Sequence, residues 1–525
     1  MILSKKILLP YFLILILSTF QAFVFLNTEF VDKEANIASR PIYLILTFCF
    51  YLLLAQINQK LLKVFLVFAL VVSMLVYPVL SIYGELDYNL SAVTFYTNKS
   101  EVISYSRSVP SRVYILLGIL TVFTIYLLRL NYQKSSFRFL VPTLILILLV
   151  QPVKKVIAYG FNSKNVEAYI DVLPLKKTTY FFKELYNVKV DHEFVMRESS
   201  KPDSWIVKKA VDNDLPKTFV LVIGESVRKD FLNAYGFSQN NTPFISSSNR
   251  LQFDDYLAVA PYTIPSLLRT FSLTHDFPNY QRNNNLPKLA EKAGYETYWL
   301  SNQGQVGFSD TPIAAMAKSS MHYKFVKNGD SFAAGFSDFD LLPMFNEVLK
   351  EKTKRNRLIV VHMIGSHPSS CENTGGKFDE FFLSEDISCY IQSIKNMDNL
   401  LHNFHQSLER TGDSYKLVYF SDHGLMINDD LVMTHGRGIK QSYEVPLLIW
   451  GNDITTTKHF SARRYGNDFL HLFTELTGIE SPQLKRTYRF VSDEDATNTG
   501  YLLDASEKQI KYDQLKDNQI KAFIK

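Results

Sequence analysis

The stretch Phe219-Val220-Leu221-Val222-Ile223-Gly224-Glu225-Ser226 sets the fold class. Five consecutive apolar residues, three of them β-branched, end abruptly on a glycine, a carboxylate and a hydroxyl. A run this short and continuous reads as a strand buried on both faces. Runs of the same kind recur at Thr297–Leu300, Leu358–Met363, Leu417–Phe420 and Val445–Trp450. Helical stretches lie between them, among them Leu286–Ala293, Leu341–Lys350 and Ile391–Leu408. This alternation predicts an α/β domain with a mainly parallel central sheet and helices on both faces. Such domains carry their chemistry at the carboxyl ends of the strands.

Those ends are chemically loaded. Glu225 follows the first strand. Asp422 and His423 follow the one that reads Leu417-Val418-Tyr419-Phe420-Ser421. The Leu358–Met363 run leads into Gly365-Ser366-His367-Pro368, and His435 follows in Thr434-His435-Gly436. A carboxylate, an adjacent Asp-His pair and two further histidines on one edge form a ligand set suited to zinc. A lone strand-end aspartate is more often a helix cap, and a lone histidine more often a satisfied polar residue. Their joint placement is what points to a site.

Upstream the composition changes. Residues 1–150 contain 18 Asp, Glu, Lys and Arg, and residues 151–525 contain 89. Five runs without charge, Ile7–Leu26, Pro41–Gln59, Val64–Gly84, Val113–Leu128 and Phe139–Val153, predict five membrane spans. The first three are long enough as they stand. Snorkelling by Arg112, Arg129 and Arg138 extends the last two. Ile7–Leu26 is too long for a signal-peptide core and lacks a small-residue cleavage site, so it is expected to stay. Lys5, Lys6, Lys60, Lys63, Arg129, Lys134 and Arg138 alternate with acid-bearing loops at 27–40 and 85–112. By the positive-inside rule the N-terminus is cytoplasmic and the chain beyond about residue 154 lies outside. Residues 1–153 are thus expected as a transmembrane domain, and 154–215, with short helical patterns and polar turns, as a membrane-surface linker. Residues 216–525 are expected as the exported catalytic domain. Cys371 and Cys389 fall in that half, where a disulfide closing a loop of about 18 residues is favoured over two free thiols. The formal charge of +5 is too balanced to argue for nucleic-acid binding. Aromatic content of 14% with ordinary Gly and Pro excludes disorder and fibrous repeats.

Together these motifs resemble the membrane-bound phosphoethanolamine transferases that modify bacterial lipopolysaccharide, within the alkaline phosphatase and sulfatase superfamily. The family signature stands here as Gly224-Glu225-Ser226-Val227-Arg228, Tyr235-Gly236 and Asn240-Asn241-Thr242-Pro243. Its nucleophile segment is matched by Thr263, Ser266 and Phe271-Ser272, and its Asn-x-Tyr-Asp-Asn helix by Asn396-Met397-Asp398-Asn399. The Gly-Ser-His and Ser-Asp-His-Gly motifs are present. The resemblance, five spans included, covers nearly the whole chain.

It implies that Glu225, Thr263, Asp422 and His423 bind zinc, and that Thr263 is the nucleophile. His367 and His435 would contact the phosphoryl group or a second metal, and either could protonate a leaving oxygen. Thr97 and Glu101 would help hold the lipid head group. The donor implied is phosphatidylethanolamine. The acceptor implied is lipid A, lipopolysaccharide core or another envelope glycan. The place implied is the inner membrane, with the catalytic domain periplasmic and the chain working as a monomer. Phosphoglycerol transfer to an envelope glycan is the nearest alternative, and a membrane-anchored phosphatase or sulfatase a further one. This sequence departs from the family at Val93, Gly304, Gly307 and Leu425, and has Arg269 where the lipid A branch has a cysteine. These changes spare the metal set but fall where contacts to the acceptor would be specified.

Overall fold

In the computed structural model the described residues are 5–26, 33–83, 109–134, 137–199, 201–208, 216–303, 312–326, 337–368, 370–436, 438–485, 487–496 and 501–519, with Ser91 and Ser106. The chain divides into two compact units, one ending at Lys189 and the other beginning at Val190 in this part of the sequence.

The first unit is helical: α1 Lys5–Leu26, α2 Lys33–Ile57, α3 Gln59–Tyr83, α4 Ser111–Arg129 and α5 Leu140–Tyr159. Among the described residues, three helices are long and apolar enough to cross a membrane: Gln59–Ser81, Ser111–Arg129 and Leu140–Ala158. Leu9–Phe25 and Pro41–Ile57 are shorter apolar stretches. Of the three runs expected to qualify as they stand, Val64–Gly84 falls in α3, which does; the other two fall in α1 and α2, helices of 22 and 25 residues. α4 includes Arg112 and Arg129, as the snorkelling argument expects, and α5 continues past Val153 through Lys154 and Lys155, so both are longer than their charge-free runs. Residues 154–215 are more regular than short helical patterns. They hold the end of α5, a 3-10 turn at Ser163–Tyr169 and a 27-residue helix, α6, Leu173–Ser199.

The second unit is built on an eight-stranded sheet. Its strands are β1 Thr218–Gly224, β2 Leu251–Phe253, β3 Glu296–Ser301, β4 His322–Phe325, β5 Arg357–His362, β6 Tyr415–Ser421, β7 Leu447–Gly451 and β8 Lys458–Phe460. Their spatial order is β8-β2-β7-β6-β1-β5-β3-β4. From β6 to β4 all pairings are parallel. β7 runs antiparallel to both β6 and β2. All seven residues of β1 are buried. Phe219, Leu221 and Ile223 enter the core on one face, with Leu358, Val360, Val418 and Phe420. Val220 and Val222 enter the core on the other, with Ile359, Val361, Leu417 and Tyr419. A period-2 side chain in a sheet covered on both faces gives this division, and explains why the sequence reads as an unbroken apolar run.

The helix Leu341–Lys350 has the bounds expected. The helix expected at Ile391–Leu408 starts earlier, because Ser384 caps it by accepting a hydrogen bond from the Ile387 amide, and Glu385 and Asp386 favour its first turn. Cys371 and Cys389 are joined in a disulfide with Cα atoms 4.9 Å apart.

Candidate metal and catalytic site

β6, β1 and β5 are neighbours, so their carboxyl ends meet at one edge. Glu225 leaves β1 there and Asp422–His423 leave β6. The chain turns sharply at Ser226, which has φ 63°, the left-handed region that costs a side-chain-bearing residue about 1 kcal/mol. The turn is held by groups distant in sequence. The Tyr390 hydroxyl donates to the Ser226 carbonyl at 2.7 Å and accepts from the Arg228 amide at 2.8 Å. The Ser421 hydroxyl accepts from the Val227 amide at 2.8 Å. Gly365, at φ 51°, packs so closely that an added Cβ would stand 2.9 Å from the Glu225 nitrogen.

Glu225, Asp422 and His423 are wholly buried, and one ligand atom of each lies within 4.8 Å of the others. His423 Nε2 is 3.3 Å from Glu225 Oε1 and 3.5 Å from Asp422 Oδ2. His423 Nδ1 lies 2.9 Å from the Gly424 carbonyl, which can only accept, so Nδ1 carries a proton and Nε2 faces the carboxylates. Thr263 opens a helix, α7, Thr263–Thr270. Its hydroxyl donates to Glu225 Oε2 at 3.1 Å and lies 3.3 Å from His423 Nε2. Three residues on, the Ser266 hydroxyl donates to the Asp422 carbonyl at 2.7 Å and ties α7 to the Asp-His turn. The α7 amino terminus, with its free amides and positive dipole end, favours an anion beside Thr263.

The electrostatics ask for a cation. Burial, then the charge of Glu225, push the Asp422 carboxyl up to about 8. Burial opposes ionisation of Glu225 too, but the hydrogen bond and charge of His423 outweigh it and hold that carboxyl far below its usual range. Burial would lower the His423 imidazole, yet Asp422 and Glu225 raise it to about 9. A proton on His423 therefore balances part of two adjacent buried carboxylates. Asp422 Oδ1 is satisfied by the Ser226 and His423 amides, whereas Oδ2 is buried with no hydrogen-bond partner. An orphaned carboxylate oxygen beside a second carboxylate, an imidazole nitrogen and a hydroxyl fits a bound metal ion.

The outer histidines lie alongside. The His435 ring is 5.2 Å from that of His423 and 5.9 Å from that of His367, and Tyr262 stacks on it at 5.2 Å and 15°. Thr97 and Glu101, expected at the lipid head group, lie outside the described residues, as do Val93, Gly304 and Gly307. Two motifs shared with the family turn out to be scaffold. Asn241 bonds the Asn233 amide and the Phe231 carbonyl, and Asp398 accepts from the amides of Phe244 and Ile245. Tyr390 was missed. It is 164 positions from Ser226, and no local pattern announces such a bond.

The sulfatase family model matches residues 217–479. OpgE of Escherichia coli K12, a phosphoethanolamine transferase by name, is 32% identical over 516 residues, covering 95% of this chain and 96% of the relative. Among solved structures, the integral membrane lipooligosaccharide phosphoethanolamine transferase A of Neisseria meningitidis superposes with a TM-score of 0.61 at 15% identity, over 92% of this chain and 98% of that one. The zinc complex of the periplasmic domain of EptC from E. coli superposes with a TM-score of 0.53 at 22% identity, over 60% of this chain and 98% of that one. These two likenesses are of fold. The near full-length relation at 32% identity carries the assignment: the chain belongs to the phosphoethanolamine transferases of the sulfatase family, in the alkaline phosphatase superfamily.

Proposed function

We propose that this enzyme moves phosphoethanolamine from phosphatidylethanolamine to a cell-envelope acceptor, lipid A, lipopolysaccharide core or another glycan, through a covalent intermediate on Thr263. The observation that carries the proposal is the Thr263 hydroxyl 3.1 Å from Glu225 and 3.3 Å from His423, at the start of a helix and beside the orphaned Asp422 oxygen. Glu225, Thr263, Asp422 and His423 would hold the metal. Zinc fits this oxygen–nitrogen set, and the EptC domain was solved with zinc. Bound there, zinc would lower the pKa of the threonine hydroxyl, which is otherwise a poor nucleophile at neutral pH.

The chain's own groups account for the remaining steps. The Thr263 oxygen attacks the donor phosphorus, and the bond from phosphorus to the diacylglycerol oxygen breaks. His435 or His367 gives that oxygen a proton. An acceptor oxygen then attacks the same phosphorus, losing its proton to the histidine, and the Thr263 oxygen leaves. In the reading we favour, five spans fix the catalytic domain on the periplasmic face of the inner membrane, a linker covering 154–215 keeps it near the lipid, and Thr97 and Glu101 hold the head group. Tethering replaces a three-dimensional search by a local one.

The test is donor choice. The full-length protein is placed in vesicles of phosphatidylethanolamine or phosphatidylglycerol, and diacylglycerol release is followed with lipopolysaccharide or envelope glycan supplied. Release from phosphatidylethanolamine alone is expected. Release from phosphatidylglycerol alone would replace this reading with phosphoglycerol transfer.

A further inference from the structure

Glu507 stands in a turn where a glutamate is out of place. Its φ is 58°, in the left-handed region that suits glycine, so the side chain is carried there against a backbone cost. The turn joins the paired strands Tyr501–Leu503 and Gln509–Lys511. Its backbone is closed by Asp504, whose Oδ1 accepts from the amides of Ser506 and Lys508. The Glu507 carboxylate is not used in that closure. It reaches Arg269 instead, 2.6 Å from Nη2, with the arginine side chain 8% exposed.

Arg269 lies in the last turn of α7, the helix that Thr263 opens. Its Nη1 donates to the Pro265 carbonyl and its Nε to the Pro278 carbonyl, both at 3.1 Å, and its guanidinium carbon lies 4.8 Å over the centre of the Tyr280 ring. A planar fork with its donors spread over three partners fixes an orientation that a single bond would not. The same hairpin acts on the other side of the nucleophile. The Leu503 amide donates to the Val259 carbonyl at 2.8 Å, and Leu503 packs on Val259 and Ala260. The hairpin 501–511 therefore grips the chain both before Thr263 and after it.

The helix has use for that grip. Its eight residues make a rod of about 12 Å. Burial of Leu267 and Leu268 in the core is non-directional, and Ser266 adds one hydrogen bond to the metal turn. Neither sets the tilt of the rod. A tilt would carry the Thr263 hydroxyl from its place 3.1 Å from Glu225 and 3.3 Å from His423, and attack on phosphorus depends on that aim.

We propose that the Arg269–Glu507 pair is a brace that aims the Thr263 hydroxyl, both being positioning residues for the transfer. The proposal rests on the reading of Thr263 as nucleophile and adds the hairpin 501–511 to what serves it.

The experiment places the full-length protein, without acceptor, in vesicles of phosphatidylethanolamine labelled in its head group. The rate at which label appears on the Thr263 peptide is read together with the unfolding temperature and the bound metal. Glu507→Gly removes the side chain from a turn that suits glycine. Its labelling rate should fall about tenfold, the scale of loss from a slightly misplaced nucleophile, while the metal is retained and the unfolding temperature moves little. Glu507→Gln, which keeps an accepting oxygen, should recover part of the rate. Arg269→Gln should also be slow, and the double variant Arg269→Gln/Glu507→Gly no slower than Arg269→Gln alone, because both changes break one contact. A wild-type labelling rate in Glu507→Gly, with or without a lower unfolding temperature, would overturn the proposal, as would losses that multiply in the double variant. Absence of label from the wild-type protein would sink the transferase reading as well, whereas label on the wild type with an unslowed Glu507→Gly would sink only the brace.

Discussion

At the scale of single residues, the site is a problem of charge balance solved by burial. Glu225 and Asp422 repel one another in a medium that hydrates neither, and a cation among them would relieve that repulsion. Asp422→Ala or His423→Ala therefore should lose both the co-purifying metal and the activity, which metal analysis and transfer assays would detect; a variant keeping both would refute the ligand set. Gly365→Ala is a sharper probe because it adds one carbon. At φ 51° and 2.9 Å from the Glu225 nitrogen, the new Cβ must displace Glu225. Metal affinity and kcat should fall together while the overall fold persists. Most of these residues were legible beforehand, since Glu225, Asp422 and His423 each directly follow an apolar run at a strand end. The roles of Ser266 and Tyr390 were not, because each acts by a bond to a residue more than 150 positions away.

At the scale of elements, β5 carries a second consequence. His362, at its end, is wholly buried, its Nε2 has no hydrogen-bond partner, and burial pushes its imidazole down to about 4. An unfolded histidine titrates near 6.5, so between pH 6.5 and 4 the unfolded chain binds the extra proton. Stability contributed by neutral His362 is present above pH 6.5 and is lost as pH falls towards 4, by up to about 3 kcal/mol. His362→Phe should flatten the acid limb of a denaturation series across that window; an unchanged limb would contradict the assignment. The disulfide ties the short helix Ser370–Asn373 to the first turns of the helix Glu385–Glu409. Replacing both cysteines by serine should cost on the order of 3 kcal/mol, read as a lower unfolding temperature. The five central strands were readable because each is buried on both faces. The outer strands β2, β4 and β8 were not: they run three or four residues, and the edge strand β4 has the exposed side chains His322, Tyr323 and Lys324.

At the scale of the whole molecule, the chain joins an apolar helical unit to a charged α/β unit, a division visible in composition before any residue is interpreted. Charge placement served less well for individual spans, because arginines and lysines inside α4 and α5 shortened the runs that were counted. The acceptor was the least legible part. The family departures at Val93, Gly304 and Gly307 lie outside the described residues. The central claim, transfer through Thr263, has one direct measurement. Full-length enzyme is incubated without acceptor in vesicles of phosphatidylethanolamine labelled in its head group, then digested and mapped by mass spectrometry. The account predicts label on the peptide that contains Thr263, release of that label on addition of acceptor, and none in Thr263→Ala. Labelled acceptor formed at near wild-type rate by Thr263→Ala, with no labelled peptide in either protein, would contradict it.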